Sequence, residues 1–177
     1  PRCLIYEENN RNTKSRGSII VGLNPGQSKT EERNFYKSKP IGYKAVLEYW
    51  QAKASSLLYF RKLRMFVDEL GLDGPILWTD LVKCESKKRG KLSVQTIRDD
   101  INRYLFKEIG VVPENWVIVG AGDEAFKILS YRFPNKLVIG IPHPTGSYGY
   151  FSRLFQGSKL KADIKLKLQE VLKENKP

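Results

Sequence analysis

The chain contains few of the side chains that build disulfide frameworks and metal centres. Its 177 residues include two cysteines and one histidine. Two cysteines are too few for a disulfide framework or a four-thiolate metal site, and one histidine excludes a histidine-based zinc site in practice. We therefore expect no metal centre, and we expect both cysteines to be free thiols in a reducing compartment.

Long apolar segments are also missing from the sequence. It has no run of about 18 apolar residues that could form a transmembrane helix, and no secretory signal is visible. The lysine-rich C-terminal segment is amphipathic but has no aromatic anchor for a membrane surface. We expect an intracellular protein of the cytoplasm or nucleoid with no membrane partner.

Positive charge, in contrast, is abundant. Lys and Arg total 31 against 19 acidic residues, which gives a net charge of +12. This excess favours a polyanionic partner, although a solvated basic surface without a partner would have the same composition. The basic residues crowd into three segments, 11–16, 83–91 and 159–167.

Apolar runs and helical periodicity alternate along the chain. Apolar, β-branched runs predict four strands at 18–23, 75–81, 116–120 and 137–141. Amphipathic segments predict helices at 43–70, 93–109, 123–131 and 158–174. This alternation is typical of a three-layer α/β/α sandwich with a central four-stranded parallel sheet. We expect one domain over residues 1–177, with residues 27–40 as a polar loop and the first 17 residues as a short apolar start followed by a loop.

Two loops that follow predicted strands are candidates for a ligand site. One holds Asn24 in the run Gly-Leu-Asn-Pro-Gly, and the other holds His143, the only histidine, between two prolines. Parallel sheets bind ligands beyond the carboxyl ends of their strands, so both loops should lie at one edge. The Asn24 amide could orient a water molecule and the imidazole could donate to a developing oxyanion. A plain turn and a structural histidine are the alternatives.

The two loops together resemble the uracil-DNA glycosylase superfamily. Members carry a first motif of the form Gly-x-Asn-Pro-Gly and a second of the form His-Pro-Ser, and this chain has Gly-Leu-Asn-Pro-Gly at 22–26 and His-Pro-Thr at 143–145. The segments 78–84 (Trp-Thr-Asp-Leu-Val-Lys-Cys) and 117–125 are similar to strands of the thermostable iron–sulfur branch. The resemblance extends from about residue 18 to residue 155.

The resemblance implies excision of a flipped base at the carboxyl edge of the sheet. Asn24 would position the attacking water, and His143 would donate to the departing base. Either Phe35 or Tyr36 would stack on the base, with core packing as the alternative for both rings. The residues implied to contact the base are Gly22, Leu23, Pro25, Gly26, Phe35, Tyr36 and Asp80.

DNA contacts follow from the same resemblance. Tyr148 would be the wedge that fills the vacated stack, and basic side chains would contact backbone phosphates, which carry affinity without sequence information. The residues implied to contact DNA are Lys83, Lys87, Lys88, Arg89, Pro144, Thr145, Gly146, Ser147, Tyr148 and Arg153.

The chain departs from the family pattern at three places. Only Cys84 matches a cysteine position of the iron–sulfur branch, so we expect no cluster and a buried thiol. Asp80 stands where relatives usually have the Asn that recognises uracil. An ionised carboxylate only accepts hydrogen bonds, so it would favour a base with an exocyclic amino group over uracil, unless burial keeps Asp80 protonated. A structural role is the alternative for Asp80. Thr145 and Gly146 replace a common Ser-Pro pair, which changes the wedge loop.

The resemblance predicts a monofunctional DNA glycosylase that removes a deaminated or mismatched base in base excision repair, acting as a monomer without a cofactor. A DNA-binding protein that keeps the fold without excision is the first alternative, motivated by Asp80 and the changed wedge loop. An unrelated α/β hydrolase or nucleotide-binding domain is the second, although the sequence has no ligand cluster or Walker loop for it.

Overall fold

A five-stranded sheet forms the centre of the computed structural model, which describes residues 4–8, 11–39, 42–54, 56–85 and 92–174. Four strands are parallel and coincide with the four predicted apolar runs, which confirms the predicted α/β sandwich. In chain order the strands are β1 Ile5–Glu7, β2 Ser18–Gly22, β3 Ile76–Asp80, β4 Val117–Ala121 and β5 Val138–Ile141, and they lie side by side as β1-β3-β2-β4-β5.

The edge strand β1 was not predicted. It pairs antiparallel with β3, so the sheet has one more strand than the sequence indicated. The first 17 residues were expected to contain only a short apolar start and a loop. Three residues are too short a segment for periodicity to identify, and Ile5 becomes part of the core only through its pairing with Trp78.

Helices and one small hairpin complete the fold. The helices are α1 Thr30–Lys37, α2 Tyr43–Ala54, α3 Leu58–Glu69, α4 Val94–Asp100, α5 Phe106–Gly110, α6 Asp123–Arg132 and α7 Ala162–Glu174, with a π-helical segment Ile101–Leu105 that joins α4 to α5. Two short strands, β6 Phe155–Gln156 and β7 Lys159–Leu160, form an antiparallel hairpin before α7. None of these helices has both the length and the apolar character needed to cross a bilayer.

The sheet has a separate hydrophobic core on each face, which makes the three layers. Ile20, Trp78 and Val119 point to one face and pack with α2, α3, the hairpin and α7. Ile19, Leu77 and Ile118 point to the other face and pack with the α4–α5 run and α6. Successive residues of a strand alternate between faces, so β2 and β3 contribute side chains to both cores.

Two helical predictions were wrong in detail. The predicted helix 43–70 is two helices, because Leu57 takes an extended backbone (φ −77°, ψ 129°) before α3 begins. The predicted loop 27–40 contains helix α1, whose first turn carries Glu31 and Glu32 and whose last turn carries Lys37, an order that favours the helix dipole. Gly71 follows α3 with φ +78°, the left-handed conformation that commonly ends a helix.

The predicted helices 93–109 and 158–174 need smaller changes. Ser93 caps α4, because its hydroxyl accepts a hydrogen bond from the backbone N–H of Thr96 at 3.0 Å. The predicted closing helix 158–174 begins only at Ala162. Residues 159 and 160 instead form the second strand of the hairpin, and the hairpin turns at Gly157 with φ +65°.

Candidate active site

A cavity of about 760 Å³ opens at the carboxyl edge of β2 and β3. Asn24, Asp80 and His143 all line it, so the two loops lie at one edge as the sequence predicted. Other predicted site residues in its wall are Gly22, Leu23, Pro25, Gly26 and Thr145.

The loop after β2 is fixed by hydrogen bonds that continue the strand pairing. The N–H of Leu81 donates to the Gly22 carbonyl at 2.9 Å, and that of Val82 donates to the Leu23 carbonyl at 3.0 Å. Farther along, the N–H of Ser28 donates to the carboxylate of Glu85. The backbone that presents Asn24 is therefore bound to the segment that presents Asp80.

The Asn24 side chain is half-buried in this loop. Its amide nitrogen donates to the Pro25 carbonyl at 3.2 Å. This bond fixes the orientation of the amide and leaves Oδ1 as an acceptor. No described residue donates to that oxygen, so Asn24 can accept a hydrogen bond from a water molecule in the cavity.

Asp80 occupies the space that a side chain at position 22 would need. A Cβ atom at Gly22 would collide with Oδ1 of Asp80 and would lie 3.2 Å from the Tyr59 hydroxyl. Burial raises the pKa of Tyr59 far above its ordinary value, and the negative charge of Asp80 raises it further. A neutral phenol therefore lies beside the carboxylate, and a larger residue at position 22 would displace Asp80 from this position.

His143 is held as a neutral imidazole. Burial lowers its pKa below the ordinary value. Its Nδ1 lies 3.4 Å from both the backbone N–H and the hydroxyl of Thr145, so it faces a backbone donor. A neutral ring that accepts at Nδ1 carries its proton on Nε2, which gives the site one hydrogen-bond donor. The ring lies 5.5 Å from that of Tyr59, centre to centre.

Aromatic side chains of α2 and α3 form much of the cavity wall, and the sequence did not identify them as site residues. The aromatic residues that line the cavity are Tyr49, Trp50, Tyr59, Phe60 and Trp78. The periodicity of residues 43–70 indicated only a core-facing stripe. The one signal that could have identified four of them is the number of aromatic rings between positions 49 and 60.

Phe35 and Tyr36 do not line the cavity, so the prediction that one of them stacks on a ligand there is not supported. Both lie in α1 and are half-buried against Tyr49, with ring centres 5.2 and 5.7 Å from it. They support an aromatic residue of the wall instead. The alternative of ordinary packing describes them correctly.

The loop after β5 has a strained backbone. Ser147 and Tyr148 have φ values of +57° and +49°, a region that residues other than glycine rarely adopt. Tyr148 is 96% exposed at its tip. The base of the loop is firm, because Pro144 is buried and its carbonyl accepts from Lys62 Nζ at 2.8 Å, while the Gly146 N–H returns to the His143 carbonyl at 3.3 Å. The well-anchored start of this loop thus presents an exposed aromatic ring next to the cavity.

Lys83 is not placed to contact a phosphate, which corrects its predicted role. It is 8% exposed, and its ammonium group donates to Glu108 at 2.6 Å, to the Asp80 carbonyl at 2.7 Å and to the Thr79 hydroxyl. A buried cation with three acceptors is part of the structure that supports β3.

The other predicted cations have different positions. Lys87, Lys88 and Arg89 lie outside the described residues. Arg153 is exposed, with its guanidinium group 4.6 Å from the centre of the Tyr150 ring. Lys29, which the sequence did not single out, is exposed and lines the cavity.

The cysteines do not form a site in the described part of the chain. Cys84 is a free thiol, but it is exposed rather than buried as expected, because the chain leaves the sheet after Lys83. Cys3 lies outside the described residues. Where side chains are described, no group of three or more His, Cys, Asp and Glu could hold a metal ion.

Comparison with known proteins gives no assignment. No protein-family model matches the chain, and no curated protein is similar enough to count as a relative.

Proposed function

We propose that the chain is a monofunctional DNA-base glycosylase, acting as a monomer in the cytoplasm or nucleoid. One observation carries the proposal: Asn24, Asp80 and His143, three polar residues from separate segments, line one cavity at the carboxyl edge of the sheet. The sequence resemblance to the uracil-DNA glycosylase superfamily gives each of them a role. The net charge of +12 supports DNA as the polyanionic partner.

The proposed reaction is hydrolysis of the N-glycosidic bond of a flipped nucleotide. A water molecule that donates to Oδ1 of Asn24 attacks C1′ of the sugar. The bond from C1′ to the base nitrogen breaks, and its electron pair leaves with the base. The Nε2 proton of His143 stabilises the developing charge on a base oxygen, and the proton lost by the water is taken up by the base or solvent. The products are the free base and an abasic site.

Asp80 determines the class of base in this proposal. A carboxylate beside Tyr59 accepts a hydrogen bond from an exocyclic amino group and repels the O4 oxygen of uracil. The contacts of Asp80 and His143 together fit a base that has an amino group at one side and a carbonyl oxygen at the other. We therefore propose an amino-bearing base rather than uracil.

The loop with Tyr148 is the proposed wedge. Strained backbone conformations often occur at functional loops. A nearly fully exposed tyrosine on a well-anchored loop suits insertion into a stack of nucleobases. Lys29 and Arg153 are exposed cations for phosphate contacts, which position DNA without recognising sequence.

The test is excision from a panel of duplex and single-stranded oligonucleotides that each hold one modified or mismatched base. Hot alkali cleaves the chain at an abasic site, so cleaved product reports base release. We expect product with wild-type protein, and a loss of about 100-fold or more in rate for Asn24→Ala and for His143→Ala. Variants that excise the base at the wild-type rate would refute the mechanism.

A second arm of this test separates excision from binding. Binding of labelled DNA at rising salt should weaken steeply if phosphate contacts dominate. Such binding with no abasic product on any base would select the DNA-binding protein that does not excise. Absence of binding at low salt would contradict both functions.

A further inference from the structure

Tyr59 touches both polar ends of the cavity, although the proposed reaction gives it no contact with the base. Its ring lies 5.5 Å from the His143 ring, centre to centre. Its hydroxyl and Oδ1 of Asp80 both lie within 3.2 Å of the point that a Cβ atom at Gly22 would occupy. The order of these side chains along the cavity wall is therefore His143, Tyr59, Asp80.

The Tyr59 hydroxyl is a donor that the protein itself does not use. Burial and the negative charge of Asp80 raise the pKa of Tyr59, so the phenol keeps its proton near neutral pH. No residue in the described part of the chain accepts a hydrogen bond from this hydroxyl, and Tyr59 lines the cavity. Because an enclosed tyrosine hydroxyl normally has a partner, we look for that partner in the ligand.

Contacts of helix α3 hold the Tyr59 side chain in place. The Phe60 ring meets the Tyr59 ring edge to face, with 5.4 Å between the centres. One turn farther along the helix, Lys62 Nζ donates to the Pro144 carbonyl at 2.8 Å, which joins α3 to the loop that carries His143. A donor that is ordered before the ligand arrives loses less conformational entropy on binding.

Three groups in this order match one edge of a cytosine-type base. That edge presents an amino group, the unprotonated ring nitrogen N3 and the carbonyl oxygen O2. The proposed function already pairs Asp80 with an amino group and His143 with a carbonyl oxygen. The atom between them, N3, is an acceptor that requires a donor, and the Tyr59 hydroxyl is one. Uracil carries an N–H group at the same position, which a donor does not match.

We propose that Tyr59 recognises N3 of a cytosine-type base and assists the departure of that base. The hydroxyl donates to N3 while the base is bound. When the bond between C1′ and N1 breaks, the electron pair left on N1 delocalises onto O2 and N3. The hydrogen bond from Tyr59 therefore strengthens in the transition state, and Tyr59 keeps its proton throughout. This inference rests on the proposed function, because Tyr59 acts on the same base as His143.

Pairing distinguishes such a base from the cytosines of ordinary duplex DNA. A paired cytosine uses its amino group, N3 and O2 to bind guanine. Extracting it costs more than flipping a mispaired base or binding an unpaired one. The proposed substrate is therefore cytosine, or a derivative that keeps this edge, at a mispaired or single-stranded position.

The experiment removes the Tyr59 hydroxyl and its partner atom in turn. Tyr59→Phe removes the hydroxyl and keeps the ring beside His143. The base 3-deazacytosine has a C–H group in place of N3 and keeps the amino group and O2. Each base is placed opposite adenine in a duplex and, separately, in a single strand, and excision is measured under single-turnover conditions. Tyr131→Phe removes the hydroxyl of an 82% exposed tyrosine on α6 and is the control.

The two changes should not be additive if the hydroxyl bonds to N3. On cytosine, Tyr59→Phe should lower the excision rate by about tenfold, which corresponds to about 1.4 kcal/mol. On 3-deazacytosine, the variant and the wild type should have equal rates, because that base has no acceptor to lose. Tyr131→Phe should match the wild type on both bases. Equal losses on both bases would assign Tyr59 a structural role and overturn the proposal, as would no loss on either.

A binding measurement separates this inference from the proposed function. Both nucleotides are made with fluorine at C2′, which slows cleavage because fluorine withdraws electrons from the positively charged sugar. Tyr59→Phe should weaken binding of the cytosine strand and leave binding of the 3-deazacytosine strand unchanged. This pattern without any abasic product from the unfluorinated strands supports recognition by Tyr59 and contradicts the glycosylase function. Excision of uracil but not of mispaired cytosine supports the glycosylase function and overturns the role of Tyr59.

Discussion

Replacing Asp80 by asparagine should change which base the cavity accepts. The carboxylate lies next to Gly22, and its charge acts on the Tyr59 hydroxyl. Asparagine has the same shape and adds an N–H₂ donor while removing the charge. We therefore expect Asp80→Asn to favour uracil and to disfavour an amino-bearing base.

The size of this change in base preference follows from the free energy of the hydrogen bond between residue 80 and the base. A hydrogen bond to a charged group contributes about 1.5–3 kcal/mol, and a neutral one contributes about 1 kcal/mol. Losing the charge should cost the amino-bearing base about tenfold in kcat/KM. Removing the repulsion of the uracil O4 and adding a donor should raise kcat/KM for uracil by about tenfold. The ratio of the two values should thus change by about 100-fold, or about 2.7 kcal/mol.

The assay is single-turnover excision from matched duplexes that contain either base, read by alkaline cleavage. Asp163→Asn in α7 changes an exposed carboxylate and serves as the control. It should leave the ratio unchanged. An unchanged ratio in Asp80→Asn as well would refute the assignment of Asp80 to base recognition.

The remaining predictions concern stability, pH and the wedge. Lys83→Met leaves the half-buried Glu108 carboxylate without its cation and should lower the free energy of unfolding by about 1–3 kcal/mol in urea titrations; the Lys83→Met/Glu108→Leu pair should recover part of it, and no recovery would argue against the ion pair as the cause. Burial lowers the pKa of His143, so the unfolded chain binds a proton more readily than the folded one. Stability should therefore fall as the pH drops below about 6.5, the unfolded pKa, and His143→Gln should reduce this slope; an equal slope in both proteins would contradict it. Tyr148→Ala should slow excision from duplex DNA by about tenfold or more while sparing single strands, since only a duplex has a stack to fill; equal losses on both would exclude the wedge role.

The parallel strands were predictable because each is a continuous apolar run. Both faces of the sheet are covered, so β2 and β4 have no exposed side to interrupt the pattern. The strand β1 has only three residues, and its identity depends on pairing with a segment some 70 positions away. Helix α1 was not predicted for a related reason. Its sequence is mostly polar, and its aromatic rings are buried only by packing against Tyr49 of α2.

The site was predictable in its polar half and not in its apolar half. Asn24 and His143 follow strands, and parallel topology brings strand ends together. Trp50 and Phe60 belong to helices, where an aromatic stripe has the same pattern whether it faces a solid core or a cavity. The burial of Lys83 was equally invisible, because only the fold brings Glu108 to it.

Release of a free base is the measurement that tests the central claim most directly. The substrates are duplexes that each hold one modified or mismatched base at a single position, and the free base is quantified by mass spectrometry after a single turnover. Wild-type protein should release it, and Asn24→Ala should release it at a rate lower by about 100-fold or more. Release that is absent from wild type across the whole base panel, or equal in both proteins, would contradict excision by a water molecule held at Asn24.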